Sequence, residues 1–165
     1  MVAEITQGVK VIVETEYQPS YSSPSQHHYV FTYKITIINN SDFTIQLMRR
    51  HWFIHDAGFN MREVEGEGVV GLQPLLEPGE SHQYVSGCNL KSGLGKMVGT
   101  YQMERIVDGH HFHVNIPEFV MVAPLRLNWS REFLSRKIIF ASLAFKSRWT
   151  LHSLSIFLWF LFESN

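Results

Sequence analysis

Between Val9 and Val122 apolar side chains recur at every second residue, in short runs separated by Pro, Gly, Asn and Asp, and show no convincing helical spacing. A chain patterned this way buries its apolar side chains by building sheets with one face turned inward. The first run is Val9, Val11, Val13, Thr15 and Tyr17, alternating with Lys10, Ile12, Glu14 and Glu16. Residues 19–26 are rich in Pro and Ser and read as an exposed loop. Tyr29, Phe31, Tyr33, Ile35 and Ile37 then share one face, and Asn39-Asn40-Ser41-Asp42 supplies turn chemistry, so a hairpin partner is expected from Phe43. In that partner Ile45 and Leu47 are odd but Trp52 and Ile54 are even, which requires an extra residue near Arg49-Arg50.

The remaining signals continue the pattern. Residues 56–60 form a turn, a short charged strand covers Met61 to Glu65, and Glu77-Pro78-Gly79-Glu80 is a further turn before a strand at Ser81 to Gly87. Met97 to Glu104, Phe112 to Ile116, and Phe119 to Val122 are the last strands, with Asp108-Gly109 turning between the first two. About eight short strands without helices between them predict an all-β antiparallel sandwich.

Length and charge narrow the function. A chain of 165 residues fits one domain with one core. With 14 basic and 15 acidic residues the net charge is -1, so there is no bulk attraction to nucleic acid, and none is expected as a partner. Cys88 is the single cysteine, which excludes an intrachain disulfide and a Cys-based zinc site within one chain. The N-terminus has no basic and apolar leader pattern, and a cytoplasmic location is expected. After Asn128 the composition changes: residues 129–165 contain neither Gly nor Pro and carry Arg131, Arg136, Lys137, Lys146 and Arg148. The longest uncharged run there, Trp149 to Phe162, has 14 residues, short of the roughly 18 to 20 that span a bilayer. We expect a β domain at 1–128 and, at 129–165, a helical appendage or a sequence not native to the domain; an interfacial helix is the third option.

Four groups of residues could carry chemistry. Gly66, Gly68 and Gly71 form a G-x-G-x-x-G string that resembles a phosphate-binding loop, and a nucleotide- or pyrophosphate-binding protein is the alternative function it offers. Such a loop must open a helix, whereas Pro74 follows closely and Glu63, Glu65 and Glu67 would repel phosphate, so a turn or bulge between strands is the expected role. His111 and His113 fall on one face of a strand and could weakly hold a divalent metal, although no third ligand is identifiable. Arg49, Arg50, His51 and Trp52 form a candidate partner patch, with Trp52 in the core as the simpler reading. Cys88 has only Lys91 as a basic neighbour in sequence and reads as structural. No Ser-His-Asp set or paired carboxylates stand out, and neither a catalytic residue nor a cofactor is expected.

Several segments match one family in order. They are Arg50-His51-Trp52, Gly66-Glu67-Gly68-Val69-Val70-Gly71, Gln73-Pro74, Pro78-Gly79, Ser86-Gly87-Cys88, Met97-Val98-Gly99-Thr100-Tyr101-Gln102-Met103 and Ile116-Pro117-Glu118-Phe119. Over roughly Gly8 to Pro124 the chain resembles the ApaG family, also called CorD. The resemblance implies a fibronectin type III-like, immunoglobulin-like sandwich of seven or eight strands. It also implies an association with cobalt resistance and magnesium efflux, as in bacterial relatives, or a protein-interaction role, as in eukaryotic F-box proteins and a DNA-polymerase-delta-interacting protein. It brings no catalytic residues. Arg49 stands where many relatives carry a small polar residue.

Overall fold

The computed structural model of the protein describes residues 1–59 and 61–124. Among them are nine strands: β1 (Val2–Thr6), β2 (Val9–Tyr17), β3 (Tyr29–Asn39), β4 (Ile45–Asp56), β5 (Arg62–Glu67), β6 (Leu75–Leu76), β7 (Ser81–Leu90), β8 (Leu94–Arg105) and β9 (His110–Val122). Every pairing is antiparallel. One sheet has the order β1-β2-β3-β7; the other runs β5-β4-β8-β9, with β6 also on β4. The two sheets enclose one apolar core, as the alternation requires. Val9, Val11 and Val13 from β2, Ile35 and Ile37 from β3, and Val114 and Ile116 from β9 are all buried. The expected sandwich is therefore present, with β1 and the short β6 as additions that the sequence pattern did not single out. The expectations for residues 129–165 lie outside the described residues.

The parity change in β4 is a bulge. Its register against β8 shifts between Leu47 and Arg49, so that Trp52 and Ile54 return to the core. Trp52 is 2% exposed and meets Tyr33 and Phe119 with ring centroids 5.7 and 5.9 Å away, in edge-on geometry. Two expectations need correction. Phe43 does not begin a hairpin partner of β3, because β3 and β4 lie in different sheets. The buried Asn39 side chain holds this crossover: its Nδ2 donates to the carbonyls of Phe43 (2.8 Å) and Leu76 (3.0 Å), and its Oδ1 accepts from the Ser41 amide (3.0 Å). Asn-Asn-Ser-Asp suits an arch between sheets as well as a turn within one, so composition cannot separate them. The runs at Phe112 and Phe119 are not separate strands either. They form one strand, β9, in which Pro117 and Glu118 bulge opposite Val98. Proline is tolerated there because β9 has a hydrogen-bonded neighbour on one side only.

The two sides of the sandwich differ. Between the first two strands and β9 the seam is crossed by side chains: Asn115 Nδ2 donates to Glu4 Oε1 (2.9 Å), the Asn115 amide donates to Thr6 Oγ1 (3.2 Å), and Thr15 Oγ1 donates to the Val120 carbonyl (3.4 Å). On the opposite side β7 and β5 are joined by Arg62, whose Nη2 donates to the Asn89 carbonyl at 2.6 Å and lies 3.7 Å from Cys88 Sγ.

Candidate functional site

The glycine string is the end of a hairpin strand and the turn that follows it. Gly66 lies inside β5, and Val69 and Leu72 exchange backbone hydrogen bonds of 2.7 and 3.0 Å. The two residues between them, Val70 and Gly71, have φ of 49° and 78°, as a tight turn with two left-handed centres requires. Gly71 adopts this readily, whereas a β-branched residue at positive φ is a local strain. Gly68 also has positive φ, and a Cβ there would run into the Leu72 carbonyl. Among the described residues no helix follows the string, and the Gly68 amide donates to the Met48 carbonyl at 2.9 Å. The requirement for a phosphate loop, free amides at a helix start, is thus not met by these residues.

What the string holds is an arginine. After the bulge Arg50 takes the inward parity of β4, and its guanidinium lies over Gly66, where a Cβ would stand 3.2 to 3.4 Å from its nitrogens and carbon. Its Nη1 donates to the carbonyls of Glu67 (2.9 Å) and Gly68 (2.8 Å). The Arg-His-Trp and glycine segments are therefore two halves of one contact. Behind Arg50, Tyr84 and Tyr101 share a hydroxyl hydrogen bond of 2.5 Å. Burial pushes both hydroxyls far up from the usual tyrosine range; the bond between them lowers Tyr84 and raises Tyr101, and Arg50 draws both slightly back. Burial raises Tyr33 as well, against a lowering hydrogen bond from Ser86.

The outward residues of β4 face the glutamates of β5. Arg49 lies 3.3 Å from Glu65 and 3.9 Å from Glu67, and His51 Nε2 contacts Glu63 Oε1 at 2.5 Å while its ring packs against Phe53. All are substantially exposed, so each pair contributes at most about 1 kcal/mol. Glu63, Glu65 and Glu67 are thus exposed and face Arg49 and His51 across the hairpin. Gln102 opposite Arg49, and His113 opposite Gln102, extend the row across the sheet. A shallow hollow of about 70 Å³ results, lined by Arg49, Arg50, His51, Glu65, Thr100, Gln102 and His113.

The structure thus divides the candidate patch. Arg49 and His51 face the hollow together with His113, whereas Trp52 is core and the Arg50 side chain is engaged by the glycine turn. His111 is exposed on the same face of β9 as His113, and among the described residues no three His, Cys, Asp or Glu side chains converge as metal ligands. Thr100 and Gln102 were not singled out as site residues, and Glu65 was noted only for its charge beside the glycines; the register of β4, β5, β8 and β9 brings them together. Arg62 was also missed as the neighbour of Cys88. Burial raises the Cys88 thiol against the opposing pull of that cation, which suits a structural role.

Comparison with known proteins places these features in context. A family model described as the ApaG domain matches residues 19–105. A Protein ApaG from Brucella abortus is 47% identical over 124 residues, covering 75% of this chain and 95% of that protein. A Protein ApaG from Dechloromonas aromatica is 49% identical over 113 residues, covering 68% of this chain and 88% of that protein. A crystal structure of an ApaA protein from Bordetella pertussis superposes with a TM-score of 0.68 at 44% identity, covering 70% of this chain and 94% of the other.

Proposed function

The chain belongs to the ApaG domain family, and from that premise we propose that it is a non-enzymatic interaction module whose protein partner docks on the outer face of β4, β5, β8 and β9. The observation that carries this reading is the convergence of Arg49, His51 and His113, from two strands far apart in sequence, around one hollow. Arginine is favoured at interface centres, and the β5 glutamates give the patch a charge pattern that a partner can match. At about 70 Å³ the hollow is far smaller than the roughly 300 Å³ of a typical substrate pocket, which favours a surface contact over an enclosed reaction. An association with cobalt resistance and magnesium efflux, carried by the family resemblance, is part of the proposal and runs through the partner. A cytosolic setting is part of it too, and the lone reduced Cys88 is compatible with that.

The test is an affinity capture from the native cell with the wild-type chain and with an Arg49→Glu/His113→Glu variant. Both positions are at least partly exposed, so the fold should be retained, which circular dichroism checks. A protein retained by the wild type and lost by the variant supports the proposal. Identical captured sets, or catalytic turnover by the purified protein, contradict it.

A further inference from the structure

An outer strand of a sheet carries unpaired N–H and C=O groups, and proteins protect such edges with charges, prolines, bulges or covering side chains. Three of the longer outer strands here are protected. β9 contains Pro117 and a bulge, β1 is tied to β9 through Glu4 and Thr6, and β5 carries Glu63, Glu65 and Glu67. β7 is not. Its ten residues, Ser81 to Leu90, include no Asp, Glu, Lys, Arg or Pro, and its register against β3 runs unbroken from Tyr29↔Leu90 to Ile38↔Ser81. Among the described residues it pairs with β3 alone.

The parity of the free groups follows from the hydrogen bonds. Val30, opposite Asn89, gives its N–H to Ser22 Oγ (2.9 Å) and its carbonyl to the Gln18 amide (2.8 Å), both away from β7. In an antiparallel ladder the pairs alternate, so Gln83, Val85 and Gly87 direct their backbone groups to the free edge, as Asn89 does toward Arg62. Of these residues Gln83, Val85 and Asn89 have outward side chains, and Val85 at the strand centre is 57% exposed.

We propose that β7 is a self-pairing edge: two copies of this chain join antiparallel through β7, with Val85 against Val85 of the second copy and Gln83 against Gly87. The two four-stranded sheets then become one continuous sheet, closed by roughly six new backbone hydrogen bonds. Charge selects a second copy as the occupant. β7 is flanked by exposed Glu80 and Lys91, and antiparallel pairing brings the Glu80 end of one strand beside the Lys91 end of the other. Because the strand has no Asp, Glu, Lys or Arg, the two-fold contact puts none of these face to face. Lys34, beside Val85 on β3, is already paired with Glu14 at 2.6 Å.

The test is sedimentation velocity on the full chain from micromolar to near-millimolar concentration. The wild type should move toward the mass of two chains as concentration rises. Val85→Pro removes an edge donor without touching the β3 ladder, and Val85→Lys places like charges across the two-fold axis. Each should weaken association about tenfold or more while keeping the wild-type circular dichroism spectrum. Glu80→Lys should weaken it as well, and Glu80→Lys/Lys91→Glu should restore it. A wild type that stays at single-chain mass throughout overturns the proposal, as does a dimer that folded Val85→Pro and Val85→Lys variants leave unchanged.

Discussion

Arg50 and Gly66 should be coupled strongly enough for one substitution to change sign with the other. Gly66 has no positive φ, so alanine is conformationally allowed there, and in a strand interior it should stabilise by about 0.5–1 kcal/mol relative to glycine. In the wild type this gain is opposed, because the new Cβ would meet the Arg50 guanidinium at 3.2–3.4 Å and displace it from two carbonyls. Those two bonds come from a charged donor, but one lies in an exposed setting, so their combined loss in Arg50→Ala is set at about 2 kcal/mol. A displacement that forfeits half of that, about 1 kcal/mol, equals or exceeds the alanine gain, and a larger one exceeds it. Gly66→Ala should therefore be neutral or destabilising by up to about 1 kcal/mol in the wild type and stabilising in the Arg50→Ala background. Urea unfolding followed by tryptophan fluorescence gives all four corners of the cycle. If Gly66→Ala stabilises both backgrounds equally, the guanidinium does not rest on Gly66 and the account of the glycine string is wrong.

Tyr84→Phe leaves the fully buried Tyr101 hydroxyl without its partner, and should cost about 1–3 kcal/mol, whereas Tyr84→Phe/Tyr101→Phe should recover much of that loss in thermal melts. The raised tyrosines also make stability fall in alkali. Below the ordinary tyrosine value of 10.0 both states keep these protons; above it the unfolded chain releases protons that the folded chain retains, so denaturation midpoints should drop as pH rises through and beyond that value. The doubly substituted phenylalanine variant should show a shallower drop. For metal, calorimetry with Co²⁺ should give weak binding at best, and an affinity unchanged by His111→Ala and His113→Ala would remove these two histidines as ligands.

The strands were legible because a half-buried sheet imposes period two on the sequence, and the β4 bulge was legible for the same reason: Leu47 and Trp52 cannot share a face without it. Sheet membership was not legible. Asn39 holds a crossover through bonds to Phe43 and Leu76, and the second of these partners lies 37 residues away. The site was legible only in fragments. Arg49, His51 and His113 drew attention as residue types, but their meeting depends on β8 lying between β4 and β9, and Gln102 and Thr100 become relevant only through that register. The glycine string shows the opposite case. Its motif pointed to phosphate, and the flanking Glu63, Glu65, Glu67 and Pro74 rightly argued for a turn, but no local signal revealed that Arg50 occupies the space beside Gly66.

The most direct test of the docking face is an amide chemical-shift map of the labelled chain titrated with the protein captured from the native cell. The proposal predicts shifts concentrated at Arg49, His51, Thr100, Gln102 and His113, abolished with the Arg49→Glu/His113→Glu variant. Shifts confined to the other sheet, or unchanged by that variant, would contradict it.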